Sequence, residues 1–326
     1  MSELYTPVNI PPVPFKIDYG SKLFFMGSCF ADTMGQRMKE YKFDVCHNPY
    51  GVVYNPLSIA KGLELFLEKD EFRNADLTFH NELWFSYQHY TFFSDVNKQE
   101  CLNKINIRFR EAKQLITESD ILIITLGTSW VFKLKKTGRI VSNCHKIPAT
   151  EFERFYASPE RSTEALKTSI LRLREINPNL KLILSVSPIR HWKDGAVENQ
   201  RSKAALILAV AKLQNELNNV YYFPAYEIFM DELRDYRFYA ADRFHPSEEA
   251  QEILWERFSS AFLTEEARSI LKNVQSILTS VKHKPRFIST GAYHEFQMKI
   301  LRKADELSNK YPFLDFSEEL SQLKKV

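Results

Sequence analysis

The chain has 326 residues, of which 44% are hydrophobic, and its 44 basic and 41 acidic residues leave a formal net charge of only +3. This length allows one large domain with an appendage or two domains, and so balanced a charge gives no electrostatic argument for a nucleic-acid partner. No apolar stretch approaches the roughly 20 residues that a membrane span needs. The composition therefore predicts a globular protein with a sizeable core.

The cysteine pattern and the N-terminus indicate the cellular setting. The chain has 4 cysteines, none of them in a Cys-x-x-Cys pair, which argues against a disulfide framework and against a zinc ribbon. The N-terminal stretch MSELYTPVNIPPVPF lacks a basic segment followed by an apolar one, so we expect no secretory signal. These features predict a reduced, cytoplasmic location, with no metal and no cofactor.

In chain order, a proline-rich arm over residues 1–21 comes first, and we expect it to lie extended on the surface. Five apolar runs of strand length follow, at residues 22–26, 43–46, 121–126, 181–186 and 220–223. The runs ILIITL and KLILSV, the third and fourth, are typical of strands that are buried on both faces of a sheet.

Helical periodicity separates these apolar runs. It extends to about residue 40 after the first run, and then covers residues 57–68, 98–116, 162–176, 198–217, 226–233 and 247–262. This alternation predicts an α/β fold over residues 22–262, with a parallel sheet covered by helices on both faces. Thr137-Gly138 between two alternating runs indicates a hairpin at 131–141, and the aromatic run at 83–93 is strand or irregular.

The composition changes after residue 262. Amphipathic helical patterns cover residues 264–281 and 292–307, and no buried-strand pattern follows them. We therefore expect residues 263–326 to form a helical C-terminal extension that packs on the α/β unit or on a second subunit and supplies no catalytic residue.

The stretch KLFFMGSCFADTMGQRM, residues 22–38, places two nucleophilic side chains on a strand-to-helix turn. Gly27 ends the first predicted strand, and helical spacing begins just beyond Cys29. Open α/β sheets bind their ligands at the carboxyl ends of strands, and a helix start offers free N–H groups and a positive dipole end. Ser28 and Cys29 are therefore candidates for a site that holds an oxyanion or activates a thiol.

Two further motifs lie where loops of such a sheet converge. The residues GTSW at 127–130 follow the third predicted strand, and DRFH at 242–245 precedes the helix at 247–262. Asp242 and His245, three residues apart on a turn, can reach each other. The carboxylate would then fix the histidine tautomer and leave its other ring nitrogen free as a base.

The residues GSCFA at 27–31, together with DRFH, resemble the GSCFA domain family, which looks like a branch of the SGNH (GDSL-type) hydrolase superfamily. The resemblance covers roughly residues 22–262 and implies a three-layer α/β/α fold. In that superfamily a Gly-Asp-Ser motif after the first strand gives the nucleophile. A glycine of a second block and an asparagine of a third complete the oxyanion hole, and Asp-x-x-His supplies the acid and base.

The resemblance assigns roles to individual residues of this chain. Asp242 and His245 match the last block fully. Gly51, in NPYGVVYNP, is the plausible second-block glycine, and Gly127 opens the third block, with Ser129 where asparagine is expected. Two further candidates for the oxyanion or substrate-binding site are Asn55 and His191.

Aligning Gly27 with the superfamily glycine puts Cys29 at the nucleophile position and Ser28 at the Asp position. A thiolate is a stronger nucleophile than a hydroxyl, and a helix start near a histidine favours it. Ser28 stays the alternative nucleophile, although capping the helix is its more ordinary role. The resemblance implies a small-molecule or carbohydrate acyl ester as the substrate, with an acetyl or similar acyl group.

Two functions of other classes stay open at this stage. The first is a catalytically silent binding module on the same fold, which the missing Gly-Asp-Ser and the missing third-block asparagine favour and the intact Asp-x-x-His opposes. The second is a thiol redox sensor built on Cys29, for which the sequence offers no evident resolving cysteine. Substrate identity, the choice between hydrolysis and transfer, and the oligomeric state are also open.

Overall fold

The structure, a computed structural model, describes residues 5–283 and 290–324. The strands within this part of the chain are β1 (Lys22–Gly27), β2 (Asp44–His47), β3 (Thr78–His80), β4 (Leu83–Phe85), β5 (Ile121–Leu126), β6 (Trp130–Leu134), β7 (Ile140–Val141), β8 (Phe152–Tyr156), β9 (Lys181–Val186) and β10 (Val220–Phe223). The α-helices there are α1 (Cys29–Glu40), α2 (Pro56–Glu68), α3 (Lys98–Glu118), α4 (Pro159–Ile176), α5 (Gly195–Glu216), α6 (Ala225–Glu227), α7 (Glu248–Phe262), α8 (Glu265–Lys282), α9 (Gly291–Lys310) and α10 (Ser317–Lys324).

The central sheet has the strand order β2-β1-β5-β9-β10, and every neighbouring pair is parallel. These are the five strands that the apolar runs predict, so the predicted α/β fold with a parallel sheet is confirmed. From β1 the chain moves first to β2 on one side and later to β5 on the other. The strand order therefore reverses between β1 and β5, and at such a switch point the connecting loops open a crevice for ligands.

Alternate residues of each strand face two different cores, because side chains alternate across a sheet. Phe24 of β1 and Leu122 of β5 lie in one buried cluster with residues of α2, α3, α4 and α5. Their neighbours Phe25 and Ile123 lie in a second cluster with residues of α1, α7 and α8. The protein thus has three layers, helix, sheet and helix, and its strands read as continuous apolar runs because both faces are buried.

The C-terminal helices extend the second of these cores. Val274 of α8, Ala304 of α9 and Phe316 before α10 belong to the same buried cluster as Phe25. The helical extension that the sequence predicts therefore packs on the α/β unit within this chain. Its residues 284–289 and 325–326 lie outside the described residues.

The N-terminal arm is anchored at one point. Ile17 is fully buried, its N–H donates to the Phe262 carbonyl over 2.7 Å, and its own carbonyl accepts from Thr264 N–H over 2.9 Å. The preceding residues 5–16 are mostly exposed, as the sequence predicts, and residues 1–4 lie outside the described part.

Two small antiparallel sheets stand apart from the central one. β6 and β7 form the hairpin predicted at 131–141, and β8 pairs with the other edge of β6. β3 and β4 form a second hairpin, whose turn residues Asn81 and Glu82 both have positive φ. Sequence analysis does not predict β3 and β8, because β3 has only three residues and β8, FERFY, contains two charged residues and is largely exposed.

None of the helices in residues 5–283 and 290–324 is both long and apolar enough to cross a membrane. The same residues contain no group of three or more His, Cys, Asp or Glu side chains placed to hold a metal ion. All four cysteines are free thiols, and Cys29 and Cys144 are the two that are partly exposed.

Candidate active site

The turn after β1 is held against β5 by a close backbone contact. Gly27 has a φ of +144°, and a Cβ placed on it would lie 2.2 Å from the Thr125 carbonyl oxygen. The next residue, Ser28, donates its N–H to that oxygen over 3.0 Å. Only glycine allows this conformation and this approach, so Gly27 lets the chain turn out of the sheet at the switch point.

Ser28 and Cys29 have different surroundings on this turn. Ser28 is the N-cap of α1, is 1% exposed, and accepts the Phe30 N–H on its hydroxyl over 3.3 Å. Cys29 is the first residue of α1 and is partly exposed. Its own N–H belongs to the first turn, where no intrahelical acceptor exists. Ser28 thus performs the capping role, and Cys29 is the nucleophilic side chain that a ligand can reach.

Tyr54 is the side chain in contact with Cys29. The Tyr54 hydroxyl lies 3.6 Å from the Cys29 Sγ, and the Tyr54 carbonyl accepts the Gly127 N–H over 2.7 Å. Burial, and then the neighbouring thiol, raise the pKa of Tyr54, so its hydroxyl stays protonated and can donate. Sequence analysis missed Tyr54, because one tyrosine in a loop carries no pattern that marks it.

His191 completes this group of side chains. Its ring meets the Tyr54 ring edge-on with centroids 5.2 Å apart. A Cβ on Gly127 would lie 3.3 Å from the His191 Nε2, so the imidazole lies directly over that glycine. Burial, together with the charge of Lys203, lowers the pKa of His191 to about 4. The imidazole is therefore neutral near pH 7, and the structure brings Cys29, Gly127 and His191 together around Tyr54.

Two residues of α5 hold the loops that follow β5 and β9. Lys203 is fully buried and donates from Nζ to the carbonyls of Gly127 and Ser187, over 2.8 and 2.7 Å. Its neighbour Ser202 accepts the Ser129 N–H on its hydroxyl over 2.8 Å. Sequence analysis missed both residues, although a lysine on the apolar face of a long helix is a signal that could have identified one of them.

Asp242 and His245 form the pair that the sequence predicts. Asp242 Oδ2 lies 2.5 Å from His245 Nδ1, while its Oδ1 accepts the N–H groups of Phe244 and His245 over 2.9 and 3.0 Å. These hydrogen bonds, the backbone ones first, lower the pKa of Asp242 to about 2. An ionised carboxylate only accepts, so Nδ1 carries the proton and Nε2 is left as the basic nitrogen.

The loop of His245 meets the loop of His191. Trp192 stacks on Phe244, with ring centroids 5.4 Å apart, and each of these residues adjoins one of the two histidines. The side chains of Asp242 and His245 are about half exposed, at 47% and 50%. Within the described chain, neither Ser28 Oγ nor Cys29 Sγ is hydrogen-bonded to His245. In the described residues, the candidate base His245 and the candidate nucleophile are therefore not hydrogen-bonded to each other.

Three candidate oxyanion residues have other roles in the structure. Ser129, which stands where the third-block asparagine is expected, is fully buried, and its hydroxyl donates to Ser202 over 3.0 Å. Asn55 is the N-cap of α2, with its amide engaged by Ser58 at 2.8 and 3.1 Å. Gly51 donates its N–H to the Asn48 carbonyl over 2.8 Å. The Ser129 hydroxyl and the Gly51 N–H thus donate within the protein, and Asn55 serves to cap α2.

A second polar cluster lies on the β2 side of Cys29. Asp32 Oδ1 lies 3.2 Å from His47 Nδ1 and accepts from Asn48 Nδ2 over 3.1 Å. The side-chain oxygen of Asn48, Oδ1, accepts the Gly27 N–H over 2.8 Å. Asn48 therefore joins the end of β1 to the first turn of α1. These hydrogen bonds, that from His47 first, lower the pKa of Asp32.

The fold and these loops define a three-layer α/β/α protein with its site at the carboxyl ends of parallel strands. The GSCFA family model matches residues 22–258, and the model of the GSCFA protein C-terminal domain matches residues 274–325. Because the first match alone covers more than half of the sequence, the chain belongs to the GSCFA family. A comparison with curated proteins found no match.

Proposed function

We propose that the protein is a hydrolase or acyltransferase of the SGNH type, which acts on an acyl ester through Cys29, His245 and Asp242. The observation that carries the proposal is the 2.5 Å contact between His245 Nδ1 and an ionised Asp242, in a loop that packs against the loop of His191 through Phe244 and Trp192. An oriented imidazole with a free Nε2 is what an acyl-transfer nucleophile requires. Cys29 is the first residue of α1, so its thiol lies at the helix start, where the backbone N–H groups have no intrahelical acceptor.

The reaction would proceed in two balanced steps. His245 Nε2 takes the thiol proton as Cys29 Sγ bonds to the ester carbonyl carbon, and the carbonyl oxygen becomes an oxyanion. The C–O bond then breaks, and the alcohol leaves with the proton from His245. Water, or the hydroxyl of an acceptor, then gives its proton to His245 as its oxygen bonds to the thioester carbonyl carbon. The C–S bond breaks, the acyl group leaves as the acid or the new ester, and His245 returns the proton to the Cys29 sulfur. The 2.5 Å contact with Asp242 would hold the imidazole in one tautomer throughout.

Two other groups would donate to the oxyanion in place of the residues that the sequence predicts for that role. The backbone N–H of Cys29 has no acceptor within its own helix turn, and the Tyr54 hydroxyl lies 3.6 Å from the attacking sulfur. A tyrosine hydroxyl and a backbone N–H are ordinary oxyanion donors. By analogy with the superfamily alone, the substrate would be a small-molecule or carbohydrate ester that carries an acetyl or similar group.

Two observations favour a second candidate, a binding module that keeps the cleft without the chemistry. In the described chain Cys29 and His245 make no hydrogen bond, and the third-block position is a buried serine. Catalytic hydrogen bonds are often long in structures without substrate and tighten in the complex. An enzyme is therefore compatible with the absence of a hydrogen bond between Cys29 and His245.

Turnover of an aryl acetate by matched variants tests the proposal. Cys29→Ala and His245→Ala should each lower kcat/KM by at least about 10³-fold, and the double variant little further, because members of one catalytic unit are not additive. Ser28→Ala should cost far less, since it removes a helix cap. Cys144→Ala and His294→Ala are the controls, a partly exposed cysteine and an exposed histidine on α9.

Each outcome has one meaning. Loss of activity in Ser28→Ala with Cys29→Ala active would make Ser28 the nucleophile. Equal rates for the parent and all of these variants would favour the binding module. A parent that is inactive on every aryl ester, but whose Cys29 forms a disulfide under mild oxidation, would favour the redox sensor.

A further inference from the structure

We propose that an apolar cavity near the turn that carries Cys29 binds the acyl group of the substrate, so that esters of medium-length apolar acids are preferred over acetate esters. This inference rests on the proposed acyl-transfer function. The cavity has a volume of about 610 Å³, and its apolar wall includes Val52, Tyr90, Phe92, Phe93 and Ile107. Small-molecule sites in proteins typically measure about 300–1,000 Å³.

Chain connectivity ties residues of the cavity wall to the turn that carries the candidate nucleophile. Asp32, which lines it, is three residues beyond Cys29 on α1, and residues at that spacing are neighbours on a helix surface. On the opposite wall, Val52 adjoins Val53, whose N–H donates to the Gly27 carbonyl over 2.9 Å. Both walls are therefore tied to the turn that carries Cys29.

Tyr54 links the cavity and the thiol. Its hydroxyl lies 3.6 Å from the Cys29 Sγ. Tyr90 and Asp32, both in the cavity wall, contribute to the raised pKa of that same hydroxyl, as close neighbours do. Tyr54 therefore contacts Cys29 and neighbours two residues of the cavity wall.

The charged residues of the cavity are already paired. Asp32 is bonded to His47 at 3.2 Å, Lys104 to Asp95 at 2.6 Å, and Arg108 donates to the His47 carbonyl over 2.8 Å. The rest of the lining is mostly apolar surface, which favours a hydrocarbon group.

The apolar residues at the cavity mouth are unusually open to water. Phe92 is 79% exposed and Ile107 is 54% exposed, and both line the same cavity with Tyr90, which is 40% exposed. Single exposed apolar side chains are common, but a group of them around one cavity marks a binding surface. An acyl chain that enters the cavity would remove this surface from water.

The sheet order supplies a direction for the substrate. His47 ends β2, so the cavity lies on the β2 side of β1, whereas the loops of His191 and His245 follow β9 and β10 on the other side. An ester bound across Cys29 with its acyl group in the cavity would point its alcohol toward His245. That is the side on which the leaving oxygen needs a proton.

Alkylation of Cys29 by N-methyl-, N-butyl- and N-octyl-2-chloroacetamide tests the cavity without requiring turnover. All proteins carry Cys144→Ser, because Cys144 is the other partly exposed thiol. The rate of each reagent, measured by intact mass, is divided by its rate with a small free thiol. We expect the octyl reagent to exceed the methyl reagent by at least about tenfold, because each methylene that leaves water favours binding.

Ile107→Glu places a charge at the cavity mouth on α3 and should reduce the octyl-to-methyl ratio to within about twofold. Ile176→Glu is the matched control, since Ile176 is 56% exposed on α4 against 54% for Ile107. Equal normalised rates for the three reagents with the parent would overturn the proposal. So would an equal reduction of the octyl-to-methyl ratio in Ile176→Glu. If Cys29 resists all reagents, calorimetric titration of Cys29→Ala with N-octylacetamide decides, and no binding overturns it.

Ester turnover separates this inference from the function on which it rests. Aryl esters from acetate to octanoate are compared in the parent and in Ile107→Glu. Cys29-dependent turnover that is flat along the series would keep the proposed function and overturn the acyl cavity. An octyl preference in alkylation with no turnover of any ester would refute the proposed function and support the cavity as an apolar binding site.

Discussion

The Lys203 Nζ donates a hydrogen bond to the Gly127 carbonyl over 2.8 Å, from a helix to the residue that follows the middle strand of the sheet. A second bond, to Ser187 over 2.7 Å, reaches the end of the next strand. One buried amine thus fixes two of the loops that form the candidate site. Water is excluded from it, so burial, with a contribution from Arg190, lowers the pKa of Lys203 to about 7.

Replacement of Lys203 should change how stability depends on pH. Between pH 7 and 10.5 the unfolded chain holds the Lys203 proton that the folded protein has released, so the free energy of unfolding rises with pH in that window. Lys203→Met should remove this rise and add a pH-independent loss of about 1–3 kcal/mol for each carbonyl that loses its donor. Urea unfolding from pH 6 to 10 measures both effects. Lys212→Met, on the exposed side of the same helix, should keep the parent slope.

His89 should destabilise the protein in acid. It is fully buried among Tyr50, Phe72 and Phe93, and within the described residues neither of its ring nitrogens has a hydrogen-bond partner. Burial, and then the charge of His145, lower the pKa of His89 to about 3. Between pH 6.5 and 3 the unfolded chain binds a proton at His89 that the folded protein does not bind, so the free energy of unfolding falls as the pH falls through this range.

The corresponding variant is His89→Phe. It should raise the free energy of unfolding near pH 7 by about 1–3 kcal/mol, because the unsatisfied polar atoms are gone. It should also reduce the fall in the free energy of unfolding between pH 6.5 and 3. His89→Leu is a second apolar variant, which controls for a loss of stability caused by overpacking with the larger phenyl ring. If both variants keep the parent slope between pH 6.5 and 3, His89 is not the group that titrates.

Gly27→Ala should unfold the protein or destabilise it by well over about 1 kcal/mol, because its Cβ would meet a backbone oxygen at 2.2 Å. Two controls separate the causes. Gly138 has a φ of +69° in open space, so Gly138→Ala carries the conformational cost alone, and Gly291 at the start of α9 carries neither cost. Thermal unfolding should rank them Gly27→Ala lowest, then Gly138→Ala, then Gly291→Ala. Equal melting temperatures would contradict the close contact of β1 and β5.

Asp242→Asn should lower kcat by about 10²–10⁴-fold while the turn still folds. The amide keeps an acceptor for the two backbone N–H groups, but it offers His245 Nδ1 a donor and so favours the wrong tautomer. Since the pKa of Asp242 is about 2, the parent should show no ionisation of this carboxyl in its pH–rate profile above pH 4. Asp235→Asn is the control, a carboxylate that accepts the Arg237 N–H over 2.9 Å in a similar turn. An active Asp242→Asn enzyme would remove Asp242 from the mechanism.

The parts of the fold that the sequence determines are local. Strands buried on both faces need unbroken apolar runs, and helices need apolar residues at their own period, so the five parallel strands and the main helices could be predicted from the pattern alone. The same holds for short-range polar contacts. Ser28 caps the helix that begins one residue later, and Asp242 reaches His245 three residues away, because the chain itself keeps these groups close.

The tertiary structure alone decided which distant residues share the site. Tyr54 contacts Cys29 from 25 residues away, and Lys203 reaches Gly127 from 76 residues away. Both contacts depend on the strand order that places β1 beside β5 and on the helix that covers them. Packing also decided that Ser129 points inward to Ser202 and that the C-terminal helices share a core with β1. No local pattern carries such information, because burial is a property of everything that packs around a residue and not of its neighbours in the chain.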